Sequence, residues 1–141
     1  MRRQCLAGRQ VLEKRANVFN HISIGVRSLP KSKKFYDAVL GAIGYTCLSE
    51  DEGSLGYGKK QVRLWILRVE KPAPRNPKSG LHFCFDAATR GSVVKFHAAG
   101  LAQGGKDNGK PGFRKDYAPD YFAAYLVDPD GYRVEACCRV R

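Results

Sequence analysis

Acidic residues are scarce in this 141-residue chain. Thirteen Asp and Glu stand against twenty-five Lys and Arg, a formal net charge of +12. That balance disfavours a cationic ligand and leaves nucleic acid, an acidic membrane surface or an anionic small molecule as partners. Long basic runs are also missing. The clusters Lys31, Lys33, Lys34 and Lys59, Lys60, Arg63 are short, so a solvated basic surface is expected and a nucleic-acid partner is not. No stretch approaches the roughly 18 apolar residues of a membrane span. The five cysteines, Cys5, Cys47, Cys84, Cys137 and Cys138, are odd in number, and none are spaced as in a zinc ribbon. Cys137 and Cys138, being adjacent, point to opposite faces of a strand and should not pair. Free thiols in a reducing compartment, most simply the cytoplasm, fit this usage. The segment Met1–Asn17 carries five basic residues and one acid, without an apolar stretch. It is therefore no secretory signal. It lacks the serines of an organelle leader, so an appended helix or an early start codon is preferred, with organelle import as the alternative.

What is present suits a globular protein. Hydrophobic residues make up 43% of the chain and aromatic residues 11%, well above the range of disordered chains. The length is that of one domain, which buries about 68–70% of its unfolded surface.

A repeat organises the chain. In Asn20–Val26 (NHISIGV), Ile22, Ile24 and Val26 alternate with His21, Ser23 and Gly25, the period of a half-buried strand. Ser28 suits an N-cap and Pro30 a first helical turn. Phe35, Tyr36, Val39, Leu40 and Ile43 then recur at helical spacing until Gly41 and Gly44 end the helix. Short strands are expected at Tyr45–Leu48, around Leu55–Tyr57 and at Val62–Val69. Glu70–Gly80 (EKPAPRNPKSG) has three prolines and no periodicity, and reads as a linker. The pattern then restarts. In Leu81–Phe85, Phe83 and Phe85 oppose His82 and Cys84, and Thr89 caps a helix that stops at Gly104–Gly105. A polar, Gly-rich loop is expected over Lys106–Ala118, and a strand over Tyr121–Val127. Asp128–Gly131 reads as a type I turn with Pro second, followed by a last strand, Tyr132–Cys138. Phe35 follows His21, and Phe96 follows His82, at the same interval of fourteen residues. A repeat of this kind fixes the architecture: an α+β fold of two βαβββ modules, 20–70 and 81–138, joined by the Pro-rich linker 71–80 and preceded by a basic extension, 1–19.

The residues NHISIGVRSLPKSKKFYDAVLGAIGY, GLHFCF and YFAAYLVDPDGYRVEACC resemble the vicinal oxygen chelate superfamily of glyoxalases, bleomycin-resistance proteins and extradiol dioxygenases. The resemblance spans residues 20–138. It implies curved mixed sheets around a cleft, usually in a homodimer. It leaves activity open, because lyases, dioxygenases, transferases and metal-free drug binders share this fold. Members with a metal place ligands on the first strand of each module and on the last strand of the second. Those positions match His21, His82 and Glu135. Alternation sets each of them opposite the apolar face of its strand. Two imidazoles and a carboxylate leave open coordination positions on a divalent cation such as Fe, Mn, Zn or Ni. The metal would hold two vicinal oxygens of a small substrate. Against this stands the plainer possibility of hydrogen-bonded strand residues, and His97 on the helix is assigned to packing or surface.

Glyoxalase I relatives also carry a carboxylate ligand in the last strand of the first module. Val62–Val69 (VRLWILRV) has none, which disfavours that activity. Trp65, Arg63, Tyr121, Tyr125 and Arg114 are the candidate substrate contacts, the arginines for an anionic group. The competing functions are a metal-free, antibiotic-sequestering binder and a nucleic-acid module using the basic tail. The Gly104–Gly112 stretch lacks the context and ending of a phosphate loop.

Overall fold

The computed structural model describes residues 18–139. The basic segment Met1–Asn17, with the readings placed on it, lies outside the described residues. The first module runs β1 (Ile22–Val26), α1 (Leu29–Ala42), β2 (Thr46–Glu50), β3 (Ser54–Gly58) and β4 (Val62–Arg68). The second runs β5 (Phe83–Asp86), α2 (Arg90–Ala102), β6 (Lys106–Phe113), β7 (Tyr121–Val127) and β8 (Arg133–Arg139). Each module forms a four-stranded mixed sheet, ordered β1-β4-β3-β2 and β5-β8-β7-β6. In both, the first strand lies parallel to the last and the remaining neighbours are antiparallel. The sequence repeat is thus a structural repeat, and the sheets do not close into a barrel.

Local chemistry explains the element boundaries. Ser28 is extended and its side chain accepts from the Lys31 N–H, with Pro30 in the first turn of α1. Thr89 accepts from the Ser92 N–H at 3.0 Å, while the Ser92 hydroxyl accepts from the Thr89 N–H at 3.1 Å. That reciprocal box satisfies two donors that the helix leaves free. Both helices stop before a glycine with positive φ, Gly44 at 84° and Gly104 at 88°, a conformation most side chains resist.

Each helix covers the apolar face of its own sheet, and α1 also packs on α2. One continuous core results. Phe35, Tyr36, Val39, Ile66, Val93, Phe96, Leu126 and Ala136 are all but inaccessible. Burying each large apolar side chain contributes roughly 1.5–3 kcal/mol by transfer alone. The helices meet closely at Gly100, where an added Cβ would lie 2.2 Å from Leu126 Cδ1 and 3.0 Å from Val39 Cγ1.

The Asp128–Gly131 turn knits the modules together. Its Gly131 N–H donates to the Asp128 carbonyl at 3.0 Å, as the turn assignment requires. The Tyr36 hydroxyl donates to Asp128 Oδ2 at 2.6 Å, across from α1. Asp130 accepts from the Arg27 N–H and the Ser32 hydroxyl. Beside the turn, the Tyr132 hydroxyl donates to the Gly25 carbonyl at 2.6 Å. The Pro-rich linker is held here too, since Arg75 donates to the carbonyls of Asp130 and Pro129 at 2.9 and 2.7 Å. The DPDG motif therefore works as a clasp between modules.

One expectation needs correction. The Gly-rich stretch read as a loop over Lys106–Ala118 contains strand β6. Its residues are poor strand formers by propensity, but pairing with β7 overrides this. The register shifts twice, between Asp107 and Gly109 and between Gly109 and Gly112. Such irregularities suit an edge strand, where Pro111 removes no essential ladder bond. From the helix side, His97 Nε2 meets Asp107 Oδ1 at 2.8 Å and ties α2 to β6. This carboxyl is held below the usual range, chiefly by that bond.

Candidate functional site

Period-two alternation decides which side chains gather on the face of the second sheet away from α2. Phe83, Phe85, Val134, Ala136 and Leu126 turn toward the core. His82, Cys84, Glu135, Cys137, Tyr121 and Tyr125 are left for the other face. The register sets Cys84 beside Glu135 on β8, and Glu135 beside Tyr125 on β7.

Glu135 is the centre of this group. Its side chain is only 3% exposed, against 47% for His82. His82 Nε2 lies 3.0 Å from Glu135 Oε2, and the Tyr121 hydroxyl donates to Oε1 at 2.7 Å. A buried carboxylate is costly unless such partners satisfy it. Cys84 Sγ donates to Cys137 Sγ at 3.3 Å and lies 3.8 Å from the Tyr121 hydroxyl. Among the described residues, Cys84, Glu135 and Cys137 are the one set of three metal-ligating side chains whose donor atoms all lie within 4.8 Å of one another. The Tyr125 hydroxyl is buried and has no hydrogen-bond partner.

The electrostatics follow from this crowding. Burial, and then the bond to Glu135, push the Tyr121 hydroxyl well above its ordinary range. Burial and the neighbouring Glu135 charge do the same to Tyr125. The thiol pair ionises asymmetrically. Cys137 is lowered to about 7, chiefly by the hydrogen bond from Cys84, and Cys84 is pushed far up because its proton serves that bond.

The other candidates are distributed differently. The His21 ring bonds the Asn20 side chain at 2.8 Å and is not part of the three-donor group. It lines an open hollow of about 810 Å³ that Arg63 also borders, together with Cys84 and Asp86 of the second module. Arg63 Nη1 donates to the Asn20 carbonyl at 2.8 Å, so it straps down the segment before β1. Trp65 sits in β4 between Ser23 of β1 and Gly56 of β3, half-buried on the first sheet. Arg114 donates to the Lys110 carbonyl at 2.7 Å, with its guanidinium 5.2 Å from the centre of the Tyr125 ring. His82, Glu135, Tyr121, Tyr125 and Arg114 thus gather on the second sheet, whereas His21, Arg63 and Trp65 belong to the first. The two cysteines went unrecognised as site residues. Cys84 alternates with Phe83 and Phe85, so its face was legible, but the proximity of its sulfur to Cys137 was not.

A family model described as the Glyoxalase/Bleomycin resistance protein/Dioxygenase superfamily matches residues 18–136. The chain belongs to this superfamily. Among solved structures it is similar to a glyoxalase/bleomycin resistance protein from Albidiferax ferrireducens, at 34% identity and a TM-score of 0.78, covering 87% of this chain and 100% of that one. A glyoxalase-related enzyme from Fulvimarina pelagi shares the fold at 18% identity and a TM-score of 0.64, over 83% of this chain and 84% of that one. A V278E mutant of glyoxalase I from Zea mays does so at 21% identity and a TM-score of 0.66, over 84% of this chain and 45% of the maize chain. No curated protein matches the sequence. Among the described residues, no helix is long and apolar enough to cross a membrane.

Proposed function

We propose that this superfamily member is a divalent-metal-dependent enzyme, of lyase, dioxygenase or transferase type, that acts on a small oxygen-rich and anionic molecule. The observation that carries the reading is Glu135, a carboxylate buried to 3% exposure whose two oxygens meet His82 and Tyr121 on a face that α2 does not cover. Core packing does not call for a charge there. An imidazole and a carboxylate already in contact are a donor pair for a divalent cation. When bound, that cation would polarise neighbouring substrate oxygens as a Lewis acid.

The chain's own groups have separable tasks. The Tyr121 hydroxyl fixes the Glu135 carboxylate. Tyr125 keeps a buried, unpartnered hydroxyl on the Glu135 face, and Arg114 brings positive charge over its ring. His21 is proposed as a third ligand on the strength of the repeat, reaching in from the hollow it shares with Cys84. A homodimer is proposed with it. Glyoxalase I activity is not, because β4 offers arginine and tryptophan where a carboxylate ligand would stand.

Elemental mass spectrometry of protein purified without chelator tests this reading. About one metal per chain is expected for the wild type, with loss in His82→Ala and His21→Ala. Full retention in His21→Ala would remove His21 from the ligand set. No metal in the wild type, and none taken up from Mn, Fe, Ni or Zn, would overturn the reading in favour of a metal-free binder of small molecules.

A further inference from the structure

The thiols beside the candidate metal pair have no part in the function just described. Cys84 and Cys137 come from neighbouring strands, β5 and β8, and their sulfurs are 3.3 Å apart without a disulfide. Both sulfurs lie within 4.8 Å of a Glu135 oxygen. A tetrahedral zinc ion, with Zn–S bonds of about 2.3 Å, holds two sulfurs roughly 3.8 Å apart. The thiols therefore need to separate by only a few tenths of an ångström to share such an ion. The backbone register already fixes both side chains on the Glu135 face. Cys84 is exposed, which gives an ion a way in, while Cys137 and Glu135 are buried.

We infer that Cys84, Cys137 and Glu135 form a three-donor site for a thiophilic divalent cation of the zinc type with its fourth position open, while His82, outside that donor group, holds the same carboxylate by a hydrogen bond. The inference rests on Glu135 being a metal ligand, as proposed above, and adds the class of metal. Two thiolates select zinc-like ions over the hard, oxygen-preferring cations that an imidazole–carboxylate set alone would accept. With His82 hydrogen-bonded to Glu135 and both thiols beside it, the sheet face offers a sulfur-rich environment with room for one further ligand. A bound substrate oxygen would there meet a borderline-soft Lewis acid in place of manganese or magnesium.

The test uses the full chain with cobalt(II) as a spectroscopic stand-in for zinc. The variants are Cys84→Ser, Cys137→Ser and His82→Ala. Supporting the inference, the wild type shows a near-ultraviolet sulfur-to-cobalt charge-transfer band that both serine variants weaken or lose. Zinc affinity, from competition with a chromogenic chelator, falls about 10–100-fold or more in each. Cobalt bound without that band, with zinc affinity unchanged in the serine variants but reduced in His82→Ala, overturns the thiolate site while leaving the imidazole–carboxylate site standing. No cobalt or zinc uptake by the wild type overturns both. If a serine variant does not fold, alkylation of the wild type decides. Zinc-dependent protection mapped to Cys84 and Cys137 upholds the site, and unchanged labelling of both refutes it.

Discussion

Asp128→Asn tests the clasp between the modules. Asp128 is 4% exposed. Its carboxylate accepts from the Tyr36 hydroxyl at 2.6 Å and from the N–H groups of Asp130 and Tyr132 at 2.9 and 2.8 Å. Those bonds favour the charged form, but burial opposes it and wins, aided by the Asp130 charge, so the carboxyl is pushed up from 3.8 to about 6. The folded protein thus holds this proton more tightly than the unfolded chain does. The stabilising contribution is fully present below about pH 4 and is lost as pH rises through about 6. A shift of about two units corresponds to about 3 kcal/mol. Asparagine does not titrate, so urea unfolding of both proteins from pH 4 to pH 7 isolates the effect. The variant should gain about 3 kcal/mol relative to wild type across that range. In an Asp130→Asn background the midpoint should move toward lower pH, because the neighbouring negative charge is gone. A flat difference would refute the reasoning. A difference of the opposite sign would mean that the three hydrogen bonds outweigh burial.

Two further substitutions probe the packing and the caps. Gly100→Ala places a methyl group against Leu126 and Val39 and should cost about 1–3 kcal/mol in urea unfolding, where an exposed helical glycine would gain from the same change. Thr89→Ala removes the capping box of α2 and should lower stability by about 0.5–2 kcal/mol, with the Ser92 amide, which loses its bond to the Thr89 hydroxyl, showing the largest drop in hydrogen-exchange protection.

The fold was legible because both modules announce themselves twice. Strand alternation at Ile22–Val26 and Leu81–Phe85, caps at Ser28 and Thr89, and stops at Gly44 and Gly104 are local signals that agree with one another, and such agreement identifies a foldable pattern. β6 escaped notice because nothing local defines it. Its lysines, glycines and proline carry no apolar alternation, and what makes it a strand is the finished edge of β7. The clasp role of Asp128 and Asp130 was hidden for the same reason. A turn motif predicts its own geometry, not the helix, strand and linker that will dock against it.

The candidate site divides along the same line. Alternation sufficed to place His82 and Glu135 away from the apolar faces, and the structure brings the two within hydrogen-bond distance. His21 satisfied the same alternation, and the structure shows its ring bonded to Asn20 on the rim of a hollow shared with Cys84, because facing away from a core fixes only a direction. The cysteines show the converse. Cys84 and Cys137 are 53 residues apart, and no periodicity relates them. Only the parallel pairing of β5 with β8, which sets Cys84 opposite Glu135 and leaves Cys137 two residues further along the same face, brings their sulfurs beside Glu135. Sheet register, more than the ligand types visible in the chain, therefore decides which donors an incoming cation would meet, and here it offers sulfur where the repeat alone suggested imidazole.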